Sequence, residues 1–518
     1  MGRFRILAAI MIAAAMALVA CNEEEAFTSD SSARLYFSAD TVKFDTVFTQ
    51  IGSATRRFQI FNGSKDKGIV LPMVRLGSDG KSGFRMNLDG RSGTRFTDVE
   101  VLHGDSLFCF VEVTIDPHDS DSPILLTDSI LFTLPGGKVQ KVMLEAYGQD
   151  VIVMHAQHIT EDVTLDARRP YLIYDSLVVD SGGVLRLMPG TTLCFHAGSG
   201  MKVYGQLTAE GTAAKPVTMR GDRTDRLLSD LPYDLTAGQW EGITLCSQSK
   251  PSTLKYCDIH GGNYGIAADG IDSLYVLNTI IHNVTGDGLR FKDCTAKIRG
   301  CQISNAGGYC ALVIGGNIDF AHCTIAQFYP WSGMHGGALY FANVEEEEEG
   351  RDMAHPLTRL TFFNSIITGA SKDEIYGTRM ADSDAAFNYL FAGCLINTVV
   401  DGKDCTADVA SHLYMLNESY QFDNDSIHFI ACQLDTVGDK AKPSKDDKKV
   451  TRPREGNFLF NVEGYEYVFT LDSLSAARQL GIGSITPPDC SVDIKGNARN
   501  QERPDAGCYQ YVSESEKR

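Results

Sequence analysis

Four lines of sequence decide the fold: Leu254-Lys255-Tyr256-Cys257-Asp258-Ile259, Val276-Leu277-Asn278-Thr279-Ile280-Ile281, Ile298-Arg299-Gly300-Cys301-Gln302-Ile303 and Phe320-Ala321-His322-Cys323-Thr324-Ile325. Each begins 22 residues after the one before. The first column is always bulky and apolar, the fourth always small, and the last always Ile. A constant period of this size marks a solenoid. In coils stacked about 4.8 Å apart, equivalent residues lie on top of one another, so an inward position must keep its volume from rung to rung. The triplet returns as Phe362, Ser365, Ile367 and as Phe391, Cys394, Ile396, after spacings of 42 and 29. The extra residues belong to loops on the outside.

Upstream stand Gly190-Thr191-Thr192-Leu193, Gly205-Gln206-Leu207-Thr208-Ala209-Glu210-Gly211-Thr212, Lys215-Pro216-Val217 and Gly238-Gln239-Trp240-Glu241-Gly242-Ile243. These resemble the first coils of right-handed parallel β-helices, in which short strands are followed by Gly corners. The whole pattern, from about Thr164 to Thr436, resembles the β-helix superfamily that contains pectate lyases and many non-catalytic surface proteins. Residues 151–436 are therefore read as a right-handed parallel β-helix solenoid. A Lys-, Arg-, Asp- and Pro-dense stretch, 437–456, reads as an exposed charged loop. Residues 457–518 contain Asp493-Ile494-Lys495-Gly496-Asn497-Ala498-Arg499 and Pro504-Asp505-Ala506-Gly507-Cys508-Tyr509. They resemble the closing segment of bacterial β-helix proteins, with Cys508 in place of the usual Ala. A C-terminal cap is expected, because the last coil of a solenoid exposes backbone edges.

From Leu35 to Asp150 the chain alternates apolar and polar residues, as in Thr41-Val42-Lys43-Phe44-Asp45-Thr46-Val47-Phe48, with turn clusters such as Asn62-Gly63-Ser64 and Pro135-Gly136-Gly137 between the runs. Period-two runs at this spacing predict an immunoglobulin-like β-sandwich over residues 35–150. The Phe44–Phe48 stretch and the closing Ala146-Tyr147-Gly148-Gln149-Asp150 resemble Ig-like modules of bacterial surface lipoproteins that precede a repeat domain. The fold class is thus all-β, and the expected role of this module is a spacer or docking domain.

At the N-terminus, Arg3 and Arg5 precede an apolar run from Ile6 to Ala20, too short for a transmembrane helix and matched to a secretory leader. It ends on Leu18-Val19-Ala20-Cys21, which resembles the bacterial lipobox. The resemblance implies removal of residues 1–20 and acylation of Cys21, which anchors the chain to a membrane without a spanning helix. Asn22, in place of the Asp that resembles an inner-membrane retention signal, implies the outer membrane. The acidic tether 21–34, with Glu23-Glu24-Glu25, resembles a surface-export signal; a plain solvated tether is the other reading.

The formal net charge of −19 disfavours nucleic acid and anionic glycans as partners. Of the 14 Cys, those in the inward column read as buried small hydrophobes; Cys490 and Cys508 flank the terminal motif and form the one pair suited to a bridge. No Cys or His spacing suggests zinc, and Glu345 to Glu349 read as a solvated run in preference to a calcium site, so neither metal nor cofactor is expected. His260 and His282 share a column on adjacent coils, and Asp287, Arg290, Lys292 and Asp293 cluster on the second, but this spacing alone does not mark a catalytic constellation. The stretch Phe328-Tyr329-Pro330-Trp331-Ser332-Gly333-Met334-His335-Gly336 fills a coil corner, where Tyr329, Trp331 and His335 are the residues expected to contact a glycan. The leading expectation is non-catalytic recognition of glycans or of a host surface along the solenoid, with a polysaccharide or cell-surface glycan as the partner. Polysaccharide lyase or glycosidase activity comes second, and a structural adhesion rod third.

Overall fold

The computed structural model describes residues 26–228, 231–247, 249–345, 352–371, 373–380, 383–398, 427–435, 457–458 and 468–513. The leader with Cys21, the residues Glu346 to Glu349 and the charged stretch 437–456 lie outside the described residues. The chain divides into two compact units, Met1–Asp150 and Val151–Arg518. Among the described residues no helix is long and apolar enough to cross a membrane.

The first unit is built from two sheets around one core. One sheet orders Phe27–Thr28, Gly68–Leu76, Ile124–Thr133, Val139–Gln149 and Thr41–Phe48, with Arg95–Val101 added on Gly68–Leu76. The other orders Leu35–Phe37, Arg56–Asn62, Ser106–Val113, Phe84–Leu88 and Arg91–Gly93. Alternate residues, such as Val42 and Phe44, Phe58 and Ile60, Val111 and Val113, turn into the shared core, because side chains along a strand point to opposite faces in turn. Thr41–Phe48 runs parallel to Val139–Gln149. At Gly83 the backbone is left-handed and a Cβ would sit 2.2 Å from Thr114 O, so the turn admits only glycine.

In the second unit the regular coils among the described residues have three strands. A representative coil runs Ser252–Lys255, Cys257–His260 and Ile266–Asp269, with single left-handed residues, Tyr256, Gly261 and Gly270, at its corners. The first corner recurs as Asn278, Gly300, His322, Asn364, Gly393 and Ala431, all at φ between 48° and 65°. One left-handed residue redirects the chain from one sheet into the next. The first strands of successive coils form a parallel sheet; the second and third strands share another, bent between its two faces.

The columns read from the sequence are in register. Leu254, Val276, Ile298, Phe320, Phe362, Phe391 and Phe429 pair rung to rung, and so do Ile259, Ile281, Ile303, Ile325, Ile367, Ile396 and Leu434. The Phe rings stack: 4.4 Å between Phe320 and Phe362, 5.1 Å on to Phe391 and 5.2 Å on to Phe429, with interplanar angles of 4°, 6° and 12°. The small column also hydrogen-bonds along itself, Cys257 N–H donating to Thr279 Oγ1 (3.2 Å) and Cys323 N–H to Ser365 Oγ (3.0 Å). The extra residues between Ile325 and Ile367 go to two places outside the stack. One is the corner loop between Thr324–Gln327 and Leu339–Ala342; the other includes a small hairpin of Val344–Glu345 with Met353–Ala354.

The closing segment lies along the flank of the solenoid. Asp489 accepts from Tyr275 Oη (2.6 Å), Asn364 donates to Ile482 O (3.0 Å), Cys508 N–H donates to Thr324 Oγ1 (3.1 Å), and Tyr509 Oη donates to Gln302 Oε1 (2.8 Å). Phe469, Leu471, Ala506 and Cys508 thereby cover Ile366 and Leu395, apolar residues on the outer side of the second strands. The bridge expected between Cys490 and Cys508 is not formed, since both are free thiols. Cys490 Sγ lies 3.9 Å from Ala321 O and Cys508 Sγ 3.3 Å from Thr324 Oγ1. Each thiol fills a gap between the segment and the coils, and burial pushes both up to about 12, which keeps them protonated.

Candidate functional site

Two places on the outside of the solenoid gather functional groups. The first is the outer face of the third strands and the corner beside it. Tyr329, Trp331 and His335 are all half-buried there, and the loop tip between them is open, with Met334 90% exposed. Gln327 fixes the base of the loop, its amide donating to the carbonyls of Ala306 (2.8 Å), Gly308 (3.1 Å) and Gly336 (3.0 Å). Tyr329 packs on Gly307, where a Cβ would come within 3.3 Å of its ring. His335 Nδ1 lies 2.8 Å from Gly336 O. Trp331 is thus neither a fully exposed platform nor a core residue.

Beside this corner stand three tyrosines that sequence reasoning missed. Tyr340 and Tyr376 are register partners on successive third strands. The ring of Tyr309 lies 5.1 Å from that of Tyr340 and 6.2 Å from that of Tyr376. Tyr340 Oη donates to Thr378 Oγ1 (3.2 Å) and Tyr376 Oη to Asp373 O (3.3 Å), which holds the rings in place. The pairing of Tyr340 with Tyr376 was hidden because the loops between coils break the 22-residue period at this point, and Tyr309 stands just before its own strand. Asp287 joins the group, accepting the Tyr309 N–H at 2.8 Å. Burial pushes its carboxyl above the usual range, against the pull of that bond and of Arg290. Lys292 and Asp293 are drawn elsewhere, Lys292 to Glu345 (2.5 Å) and Asp293 to His355 (2.7 Å). Neither meets His260 or His282, which belong to the second strands.

The second place is on those second strands. His260 and His282 are register partners whose rings stack at 4.8 Å. Asp258, two residues before His260 and so on the same side of the strand, approaches His260 Nδ1 at 2.8 Å and His282 Nε2 at 3.3 Å. An insertion after strand Val217–Gly221 folds over the cluster and brings Asp234 to His260 Nε2 at 3.0 Å, where Arg220 Nε also holds that carboxylate at 3.0 Å. Burial opposes a charge on His260, but Asp258 and Asp234 outweigh it and raise its pKa to about 9. Burial likewise opposes a charged Asp258, yet His260 and His282 hold it well below the usual carboxylate range. Trp240 is buried, stacks on Phe195 at 4.3 Å and donates from Nε1 to His260 O at 2.8 Å, fixing the strand from behind.

The sequence spacing offered no metal set; folding brings together here three side chains of the types that ligate metals. Asp258, His260 and His282 place one ligand atom each within 4.8 Å of one another. The paired histidines were legible as a column; Asp258 could have been found from its i, i+2 spacing to His260. Asp234 had no such signal.

A family model described as a right-handed beta helix region matches residues 239–342. No curated protein matches the sequence. Among solved structures, a family 123 glycoside hydrolase from Clostridium perfringens is 7% identical over 22% of this chain and 25% of its own, at a TM-score of 0.17. The match therefore spans about a quarter of that enzyme. A PapD-like domain of human CEP192 is 7% identical over 24% of this chain and 91% of its own, at a TM-score of 0.16. The catalytic domain of a GH87 alpha-1,3-glucanase, solved with nigerose, is 9% identical over 67% of this chain and 81% of its own, at a TM-score of 0.16. With its parallel sheets and in-register columns, the solenoid of the second unit is a right-handed parallel β-helix.

Proposed function

We propose that this protein recognises glycans through the outer face of its third strands and the adjoining Trp331 corner, as an outer-membrane lipoprotein anchored at Cys21. The observation that carries the reading is the group of Tyr309, Tyr340 and Tyr376, whose rings gather on successive coils outside the stack. Aromatic faces offer broad apolar contact with a polar tip, which suits the C–H faces and hydroxyl rims of sugars. Tyr329, Trp331 and His335 extend this surface around the corner. The first unit serves as an immunoglobulin-like spacer between the anchor and the solenoid, and the acidic tether supports display on the cell exterior. The net charge of −19 favours neutral over anionic glycans.

The test is a polysaccharide panel read for both binding and product release. Tyr340→Ala is expected to weaken binding by about 1–3 kcal/mol if the ring is an anchor, with the melting temperature little changed because the ring lies outside the stack. Loss of binding only together with loss of fold would refute the platform. Product release would favour the enzymatic reading, for which Asp287 is the candidate general acid, its carboxyl being held toward the neutral form by burial. For the anchor, Cys21→Ser is expected to move the protein out of the membrane fraction; persistence there would overturn lipidation as the anchor.

A further inference from the structure

The cluster on the second strands has no part in the glycan surface, and its geometry suits a different ligand. Donor atoms about 2.0–2.2 Å from a tetrahedral ion lie about 3.3–3.6 Å from one another. His260 Nδ1, Asp258 Oδ1 and His282 Nε2 already approach that spacing, at 2.8 and 3.3 Å for the two contacts made by Asp258. We propose that Asp258, His260 and His282 bind a divalent transition-metal ion of the zinc class. Two imidazoles and one carboxylate match zinc, cobalt, nickel or copper, whereas calcium and magnesium take oxygen ligands.

Two further observations support a built site over a chance ion pair. The ring nitrogen of His260 that faces away from Asp258 meets the Asp234 carboxylate at 3.0 Å, itself held by Arg220. A carboxylate behind a ligating histidine fixes its tautomer and orientation, the usual outer partner of a metal-bound imidazole. Second, a cavity of about 210 Å³ opens beside the cluster, lined by Asp258 and His282 together with Leu235, Gln302, Ser304 and Tyr509. A fourth coordination position facing this space has room for water or a small donor, the arrangement of an open zinc site. The ligands stand on strands of adjacent rungs, so the stacking that sets the rung spacing also sets the ligand spacing. When the ion enters, the proton between His260 Nδ1 and Asp258 leaves to solvent, and Nε2–H goes on donating to Asp234.

The test uses the purified full chain, stripped with a chelator and titrated with Co(II). One equivalent should give a visible ligand-field band, and Zn(II) should displace it. His282→Gln and Asp258→Asn should each lower the affinity at least tenfold, and Asp234→Asn by about 10- to 100-fold through loss of the outer partner. His158→Gln, outside the cluster, should change nothing. Should a cluster variant fail to fold, zinc X-ray absorption on the unsubstituted chain is expected to read two imidazole ligands. Absence of the band, a band unchanged in both His282→Gln and Asp258→Asn, or a spectrum with fewer than two imidazoles would overturn the site and leave a purely structural ion-pair clamp.

Discussion

Phe362 is fully buried and stacked between Phe320 at 4.4 Å and Phe391 at 5.1 Å, nearly parallel to both. Phe362→Ala removes the middle ring of this ladder. A buried Phe covers about 150–250 Å², or about 4–6 kcal/mol at about 25 cal/mol per Å²; measured losses for Phe→Ala in cores run about 3–5 kcal/mol including the cavity. Two stacking contacts add about 0.5–1.5 kcal/mol each beyond area. Because part of the side chain remains as Cβ, about 4–6 kcal/mol overall is a reasonable sum. The second unit has about 370 residues, for which the unfolding entropy is about 0.8 kcal/mol per kelvin, so its melting temperature should fall by about 5–8 °C. The neighbouring coils on the C-terminal side, which hold Phe391 and Phe429, should also lose hydrogen-exchange protection, since solenoid stability is passed between neighbours. Differential scanning calorimetry and amide exchange measure both effects. A melting shift below about 1 °C would refute the stacked register, as would loss of protection confined to the N-terminal coils.

Three further outcomes are expected. Ile303→Asp sets a charge between Ile281 and Ile325 with no partner inside the stack and should cost several kcal/mol; a soluble variant with unchanged melting contradicts the inward assignment. Asp287 has a folded pKa raised above its unfolded value, so its ionisation costs stability once pH rises above the unfolded carboxylate range, and the cost vanishes below that range. Asp287→Asn should therefore raise the melting temperature at neutral pH and lose that advantage on acidification, whereas a constant difference across pH would exclude ionisation as its cause. Burial pushes the Cys257 thiol up to about 12, so the folded protein should resist iodoacetamide at this residue and react only on unfolding; rapid native-state labelling of Cys257, found by peptide mapping, would contradict its inward placement.

The period of the solenoid was legible in the sequence because parallel coils superpose equivalent positions. Every inward residue then meets copies of itself one rung away, and volume is constrained at 254, 276, 298 and 320 alike. The same logic made His260 and His282 visible as a pair. Cys490 and Cys508 were misjudged because closeness to a shared motif says nothing about which surface each thiol faces, and packing against Ala321 and Thr324 decided it. Tyr309, Tyr340 and Tyr376 escaped notice since outward positions carry no volume constraint and the inserted loops broke the count. Only the tertiary structure brought Asp234 over His260 from an insertion, and Tyr509 to Gln302 across 207 residues. Repetition fixes the stack locally, rung against rung; the paths of insertions and of the closing segment depend on which non-repeating surfaces they can cover, and one period carries no record of that.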